Sequence, residues 1–258
     1  MTEHVDRIRE QFTRQADVYA RMRQTTDQRG LDGLVGLSGA AAGHRVLDVA
    51  CGPGFLTMTF ATRAAHATGC DATDAFLDLA RAEAARRGLG NVEFQSGDAE
   101  SLPFPDASFD VVACRAAFHH FPRPGRVLAE IRRVARPAAR VVIADMLGSE
   151  DPAKAAYHDR MERLCDPTHV RAIPESELRS LFADAGLAVR KAGASPLDIR
   201  VDEWIAHGGP DDEVTRELYA LMEESLADDL CGLDVRRDPQ GRLVFSHRGA
   251  AFLLAPSA

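Results

Sequence analysis

The sequence lacks long apolar runs and an excess of basic residues. No stretch approaches about 18 uninterrupted apolar residues, so we expect no membrane-spanning helix. Its polar start, M-T-E-H-V-D-R, is unlike a signal peptide, and we expect a cytoplasmic protein. Lys and Arg number 31 against 39 Asp and Glu, which gives a net charge of −8. This charge argues against nucleic acid or an anionic membrane surface as a partner.

Closely spaced cysteines are missing too. The sequence has five cysteines but no C-x-x-C motif, and Cys51, Cys70 and Cys114 lie in or beside apolar, strand-like segments. We therefore expect small buried thiols in a reducing compartment, with no disulfide bond and no metal site. Apolar residues, by contrast, make up 45% of the sequence, which is enough for one packed α/β domain over residues 1–258.

The chain is organised around residues 45–55, which read R-V-L-D-V-A-C-G-P-G-F. An apolar run, a glycine-bracketed turn and an apolar-faced helix predict a unit that binds a nucleotide-like ligand at the carboxyl end of a parallel sheet. A dinucleotide fingerprint needs a third glycine where Thr57 stands, and no Gly-Lys-Ser/Thr of a Walker loop follows. Asp48 remains at the strand end, with Gly52 and Gly54, which have no Cβ to keep a ligand off the backbone.

A second acid follows the second predicted strand, which covers residues 67–70. This acid is Asp71, 17 residues after Gly54 and close to the spacing of about 20 at which a carboxylate binds ribose hydroxyls in such folds. Two acceptor oxygens match two vicinal hydroxyls. The alternative is that Asp71 only caps the helix that begins near residue 74. The coincidence of strand, spacing and acid favours the ribose role.

Four segments carry a family resemblance. They are D-V-A-C-G-P-G at 48–54, G-D-A at 97–99, L-P-F-P-D-A-S-F-D at 102–110 and E-I-R-R-V-A-R-P at 130–137. Together they resemble the class I S-adenosylmethionine (SAM) methyltransferases, in the menaquinone/ubiquinone C-methyltransferase-like small-molecule group (methyltransferase domain type 11). The resemblance runs over nearly the whole chain and is tightest over residues 45–146.

The resemblance implies an α/β fold of one domain. Its centre is a Rossmann-like, seven-stranded, mostly parallel sheet with helices on both faces and an antiparallel last strand. A helical cap is implied over residues 1–38 and a SAM-binding core over residues 39–146. Residues 147–258 are expected to supply an acceptor cover, strands six and seven and a helical insertion.

The resemblance also implies which residues contact SAM. The G-D-A segment is expected to hold adenine, with Asp98 taking the exocyclic amine, and Phe76 stands where the family often has a methionine against that ring. An aromatic residue of the cap helix, Tyr19, is expected to reach the cofactor. The full expected set is Tyr19, Asp48, Ala50, Cys51, Gly52, Gly54, Asp71, Ala72, Phe76, Gly97, Asp98, Ala99 and Arg115.

Methyl transfer from SAM is an in-line displacement, and an acceptor hydroxyl, amine or activated carbon must also lose a proton. Histidine suits the base because its ordinary pKa is near 6.5. His119 and His120 follow the fourth predicted strand, and His169 lies in a D-P-T-H-V-R element of the expected cover at residues 150–172. We favour His119 as the base and expect His120 to support the turn.

The leading functional hypothesis is O-, N- or C-methylation of a small-molecule acceptor, with S-adenosylhomocysteine as the second product. One alternative keeps the fold and SAM but catalyses a non-methylating cyclisation or rearrangement. Another is a non-catalytic SAM-binding protein. Labelled methyl in a product separates the first hypothesis from the other two, and the sequence leaves the acceptor and the oligomeric state open.

Overall fold

The computed structural model describes residues 3–20 and 26–257, apart from the side chains of residues 17–19 and 207. Its helices are α1 (Glu3–Tyr19), α2 (Gln28–Ser38), α3 (Phe55–Ala61), α4 (Asp74–Arg86), α5 (Pro124–Val134), α6 (Pro152–Cys165), α7 (Glu175–Asp184), α8 (Val201–Gly208) and α9 (Asp212–Asp228). Its strands are β1 (Arg45–Val49), β2 (His66–Asp71), β3 (Val92–Ser96), β4 (Phe109–Arg115), β5 (Ala135–Gly148), β6 (Ile173–Pro174), β7 (Leu187–Arg200), β8 (Arg236–Arg237) and β9 (Leu243–Pro256). No described helix is both long and apolar enough to cross a membrane.

Seven strands form one continuous row in the order β3-β2-β1-β4-β5-β9-β7. The pairs among β1 to β5 are parallel, whereas β9 runs antiparallel to both of its neighbours. The two-residue strands β6 and β8 attach to β5 and β9. The predicted seven-stranded sheet with an antiparallel last strand is therefore confirmed.

The last two strands of the row are longer than their apolar pattern predicts. The sequence pattern suggests strands at 187–191 and 250–254, with a separate segment at 242–246, but β7 and β9 each span 14 residues. They pair from Leu187 opposite Pro256 to Arg200 opposite Val244. Most of β7 is exposed, so this strand is held by backbone pairing and shows little of the alternation that marks a strand in a sequence.

The parallel strands bury side chains on both faces of the sheet. Leu47 and Val49 pack with α5 and α7 on one face, whereas Val46 packs with α2 and α3 on the other. Successive residues of a strand point to opposite faces, so a strand covered on both sides reads as a continuous apolar run. Residues 46, 47 and 49 follow that pattern, and Asp48 interrupts it just before the loop begins.

A separate apolar core lies in the last third of the chain. This C-terminal cluster includes Met161 of α6, Trp204 of α8, Met222 of α9 and Phe245 of β9. The Trp204 and Phe245 rings meet edge to face, with centroids 5.4 Å apart. The helical insertion predicted over residues 201–230 is confirmed as α8 and α9. It packs on α6 and on the N-terminal end of β9.

Candidate active site

A cavity of about 1330 Å³, including its open mouth, lies at the carboxyl ends of β1 to β4. One side, the charged wall, is formed by residues 48–53, 55–56, 70–72, 76, 97–100 and 115. The other side, the apolar wall, is formed by residues of α1 and of the segment after β4: His4, Val5, Ile8, Phe12, Ala116, Ala117, His120, Phe121 and Pro122. Because β1 and β4 are neighbours whose connections diverge, the cavity occupies the switch point where such sheets bind ligands.

The loop after β1 shows why its two glycines are needed. Gly52 lines the cavity with φ 51°, and a Cβ there would meet nothing within 4 Å, so its bare backbone faces open space. Gly54 is not on the wall. A Cβ on Gly54 would lie 2.6 Å from the Phe94 ring and 2.9 Å from Ala80 Cβ, and its φ is 76°. The expected cofactor contact of Gly54 is therefore replaced by a packing role beneath the loop.

Two alanines of the cavity wall have left-handed backbone conformations. Ala50 follows β1 with φ 54°, and Ala116 follows β4 with φ 51°. A left-handed conformation costs a residue with a Cβ about 1–2 kcal/mol. Such strain persists where the surrounding structure fixes it, and here the Ala116 N–H donates to Ala144 O at 2.8 Å. The two strained residues lie where the neighbouring strands β1 and β4 end and their loops begin to line the cavity.

Asp71 connects two loops of the charged wall. Its Oδ2 accepts the Gly52 N–H at 2.8 Å, and its Oδ1 accepts the Thr73 N–H at 2.8 Å. Burial raises the pKa of this carboxyl although both amides oppose the shift. The bond to Thr73 holds the N-cap residue of α4 rather than capping the helix, and Asp71 also lines the cavity. A carboxylate has about four acceptor positions, so the two backbone bonds leave capacity for ligand hydroxyls.

Asp48 is the most deeply buried acid of the charged wall, with 2% of its surface exposed. Its Oδ2 accepts the Thr57 hydroxyl at 2.7 Å. Burial raises the pKa of Asp48 to about 7, although the Thr57 hydroxyl and the Arg115 charge act in the opposite direction. Thr57 stands where a dinucleotide-binding fingerprint has its third glycine. The same residue that argues against a dinucleotide site therefore orients Asp48.

The G-D-A segment after β3 lies on the same wall. A Cβ on Gly97 would be 2.7 Å from Cys70 Sγ and 2.9 Å from Pro103 Cδ, so only glycine fits there. The Asp98 Oδ1 accepts the Glu100 N–H at 2.9 Å, which fixes its carboxylate at the cavity. The remaining expected cofactor residues on this wall are Ala50, Cys51, Ala72, Phe76, Ala99 and Arg115.

Helix α1 closes the cavity, and sequence reasoning missed most of its contribution. The Arg9 Nε donates to Ala72 O at 2.8 Å, and the Phe12 ring lies 5.6 Å from the Phe76 ring, centroid to centroid. The signal was an apolar stripe at positions 5, 8, 12 and 16, which is the spacing of one helix face. The side chain of Tyr19, the residue expected to reach the cofactor, lies outside the described part of the chain.

His119 and His120 form a 3-10 turn after β4 but have different surroundings. The His119 Nδ1 lies 2.6 Å from Asp145 Oδ1, and the second Asp145 oxygen accepts the N–H groups of Ala117 and Phe118 at 2.9 and 2.6 Å. Burial opposes both shifts, yet this pairing raises the pKa of His119 and lowers the pKa of Asp145. His119 is not among the described residues that line the cavity, so the pair braces the turn.

His120, by contrast, lines the cavity. Its Nδ1 lies 3.2 Å from both Thr168 O and Thr168 Oγ1, and Nε2 lies 4.0 Å from Asp166 Oδ2. The carbonyl can only accept, so it fits the tautomer that carries the proton on Nδ1 and the lone pair on Nε2. Burial lowers the pKa of His120 to about 3, with the His119 charge acting in the same direction. Its ring therefore stays neutral, and the Phe12 ring packs against it edge to face at 5.3 Å. The roles that the sequence suggested for the two histidines are exchanged in the proposal below.

The segment expected to cover the acceptor, residues 150–172, lies behind the histidine turn. Two of its backbone N–H groups donate to His119 O at 2.9 and 3.2 Å. His169 is buried and pairs through Nε2 with Asp159 Oδ1 at 2.8 Å. Of the residues described here, none beyond Pro122 lines the cavity. The segment supports the turn from outside, and α1 is the element that covers the cavity.

The donor set fits SAM. SAM has a cationic ammonium and sulfonium, a ribose with two vicinal hydroxyls, and an adenine with an exocyclic amine. The charged wall offers four carboxylates against one guanidinium, and its glycines let a ligand approach the backbone. The acids are Asp48, Asp71, Asp98 and Glu100, and the guanidinium is that of Arg115. Fold and site together define a SAM-binding α/β protein with a second, largely apolar compartment.

Comparison with known proteins agrees with this class. The family described as "Methyltransferase domain" matches residues 47–143. The uncharacterized methyltransferase YcgJ of Bacillus subtilis is 35% identical over 77% of this chain and 78% of its own. Its crystal structure superposes with a TM-score of 0.83, covering 89% of this chain and 99% of that one at 29% identity.

Two further similarities concern a relative whose reaction is named and a solved structure of the same fold. A ubiquinone biosynthesis O-methyltransferase of Aeromonas salmonicida is 34% identical over 62% of this chain and 69% of its own length. The [4+2]-cyclase SpnF has the same fold, with a TM-score of 0.65 and 22% identity over 89% of this chain and 81% of its own.

The chain belongs to the class I SAM-dependent methyltransferases. It transfers a methyl group from SAM to a small-molecule acceptor.

Proposed function

We propose that the acceptor is a hydroxyl group on an uncharged, largely apolar small molecule. The observation that carries this proposal is the contrast between the walls. Among the residues that the structure describes, those lining the apolar wall include no formally charged side chain, and two imidazoles are their ionisable groups. A charged acceptor would lose its hydration there without gaining a partner. The O-methyltransferase named among the relatives supports the choice of oxygen.

In this proposal the charged wall holds the cofactor. Asp71 accepts the ribose hydroxyls, Asp98 accepts the exocyclic amine of adenine, and Asp48 faces the cationic amino-acid end. SAM supplies a methyl group that its sulfonium already activates, so the protein must align the acceptor with that methyl and exclude water. Bound SAM favours the ionised form of Asp48, since a cation stabilises a carboxylate that burial otherwise neutralises.

His120 is the residue that we assign to the acceptor. Its unprotonated nitrogen accepts a hydrogen bond from the acceptor hydroxyl and turns an oxygen lone pair towards the methyl group. With a pKa of about 3, His120 is a weak base. Its role is to orient the acceptor hydroxyl and to pass the proton of that hydroxyl on to water. His4 lines the same wall, and its Nε2–H donates to His120 O at 2.8 Å, which ties α1 to the turn.

Helix α1 is the cover in this proposal. It contacts the cavity from His4 to Phe12 and is held at both ends, at His120 O and through Gln15 Nε2 to Gly208 O at 2.7 Å. Release of these few hydrogen bonds opens the cavity, and such covers order when ligand is bound. We also propose a cytoplasmic location, which the five free thiols support. We expect no nucleic-acid partner.

The test is a screen with methyl-labelled SAM and matched acceptors. Each set contains an apolar phenol or alcohol, the corresponding amine, the corresponding carboxylate and the O-methylated compound. We expect label to enter the hydroxyl compounds only, with the O-methylated member as the blocked control. Transfer to the amine or carboxylate in preference to the hydroxyl would contradict the proposed acceptor class, while leaving the methyltransferase activity intact.

A further inference from the structure

Three potential metal ligands meet at a point away from the active-site cavity. His158 and Glu162 lie one turn apart on α6, and His247 comes from β9. The Nε2 atoms of His158 and His247 lie 3.2 and 2.9 Å from the same carboxylate oxygen, Glu162 Oε1. The three ligand atoms all fall within 4.8 Å of one another. Two elements separated by some 80 residues thus deliver two imidazoles and a carboxylate to one place.

The arrangement matches the coordination that zinc prefers. Zinc binds imidazole nitrogen and carboxylate oxygen at about 2.0–2.2 Å, so ligand atoms around it stand roughly 3.3–3.5 Å apart. The two observed distances are a few tenths of an ångström shorter, which a small side-chain shift corrects. A two-histidine, one-carboxylate set leaves a fourth position for water.

Burial distinguishes this cluster from an ordinary surface ion pair. His158, Glu162 and His247 are 1%, 5% and 6% exposed. The ionic partners of Glu162 in the described chain are these two imidazoles, so its buried charge has no Lys or Arg beside it. An ionised carboxylate out of water needs a partner or a metal ion. A divalent ion would meet that need and would use both imidazole lone pairs at once.

A second cavity reaches one member of the cluster, His247, and shares no lining residue with the active-site cavity. This cavity of about 640 Å³, open to solvent, is lined by His247 together with residues 194–196, 232–234 and 246–248. An ion can enter by this cavity, and a water molecule there can complete its coordination. The route does not pass through the cavity that we assign to SAM and the acceptor.

We propose that His158, Glu162 and His247 bind one divalent transition-metal ion, with Zn²⁺ as the best match. The ion joins α6 to β9 at the edge of the C-terminal cluster. It would also fix the helix that carries Asp159, the partner of His169 behind the histidine turn. The expectation of no metal site rests on the scattered cysteines, whereas these ligands are two histidines and a glutamate on two distant segments.

The experiment measures zinc binding by tag-free, full-length protein that has been stripped with a chelator and dialysed. We expect one zinc per chain by elemental analysis and a rise in Tm on adding Zn²⁺. The Co²⁺ form should show visible absorption bands of a nitrogen- and oxygen-ligated site without a thiolate charge-transfer band. Absence of bound zinc in the stripped and reloaded wild-type protein, or a thiolate band with Co²⁺, would overturn the proposal.

Two variants localise the ion. Glu162→Gln keeps the shape but removes the charge, and we expect zinc affinity to fall at least about 100-fold. The matched control is Glu93→Gln, which alters a half-exposed His–Glu pair, His66 with Glu93, and should bind zinc as the wild type does. If Glu162→Gln does not fold, His247→Gln serves in its place. Equal zinc affinity in the wild type and the folded site variant would refute the assignment.

Discussion

The two walls of the active-site cavity are built in different ways. The charged wall comes mainly from the loops that follow the three strands β1, β2 and β3, and its central acid, Asp71, is held by backbone N–H groups on either side. The apolar wall joins α1 to the turn after β4, and its hydrogen bond between His4 and His120 spans 116 residues. The first wall is fixed by sheet topology, whereas the second depends on the docking of one helix. A cavity can therefore keep one cofactor while its acceptor side varies.

The largest predicted effect is on turnover, and it distinguishes His120, on the apolar wall, from His119 behind it. His120→Ala should lower kcat roughly 100-fold with SAM affinity nearly unchanged, because the acceptor hydroxyl loses its alignment. Steady-state kinetics and calorimetry with SAM measure the two quantities, and His66→Ala on β2 is the control. If folded His119→Ala loses more turnover than His120→Ala, the assignment of the two roles is reversed.

On the charged wall, Asp71→Ala should weaken SAM binding about ten- to hundredfold. The variant loses charge-assisted hydrogen bonds worth roughly 1.5–3 kcal/mol, including those that join the first two loops. Calorimetry gives the affinity, and Asp74→Ala, an exposed acid three residues away, should match the wild type. Unchanged SAM affinity in folded Asp71→Ala would remove the ribose assignment.

The pH dependence of SAM binding should reveal Asp48. Its pKa of about 7 means that it takes up a proton as the pH falls through 7, and it then has no charge to offer a cation. SAM favours the ionised form, so binding releases a proton and affinity should fall up to about tenfold between pH 7 and pH 6. Calorimetry in buffers of different ionisation enthalpy counts the proton.

Asp48→Asn is the variant that checks this origin. It should bind SAM more weakly at pH 8 and should show little change between pH 8 and pH 6. A wild-type affinity that is flat over the same range would exclude Asp48 as the titrating partner of the cofactor.

The smallest effect concerns the cover on the apolar wall. Phe12→Ala removes ring contacts with Phe76 and His120 and should raise KM for the acceptor about two- to tenfold. Leu197→Ala, at an exposed position on β7, is the control. Hydrogen exchange adds a second readout, since residues 3–16 should become slower when SAM and acceptor bind. If exchange slowed more over residues 150–172 than over residues 3–16, the cover would be the segment expected from the sequence and not α1.

The charged wall was largely predictable from the sequence because each of its residues follows a strand. Asp48, Asp71 and Asp98 end or follow β1, β2 and β3, and the carboxyl ends of parallel strands meet at one edge. Gly54 is the exception. Its spacing resembles a ligand contact, but the Phe94 ring that makes a Cβ impossible there comes from a distant strand.

The apolar wall was less predictable because its chemistry depends on distant partners. The sequence places His119 and His120 together, but Asp145 on β5 raises the pKa of His119 against the effect of burial, whereas burial lowers the pKa of His120. Likewise, the apolar stripe of α1 predicts a buried face without saying what it covers. Side-chain environments that come from segments tens of residues apart leave no local pattern to read.

The most direct test of the division between the walls is a crystal structure of the protein with S-adenosylhomocysteine. The ribose hydroxyls should lie at hydrogen-bond distance from the Asp71 carboxylate, with adenine beside Asp98. The sulfur atom should face the apolar wall, leaving free space between it and the His120 ring for an acceptor. A cofactor lying along α1, or a sulfur atom turned away from His120, would contradict this account.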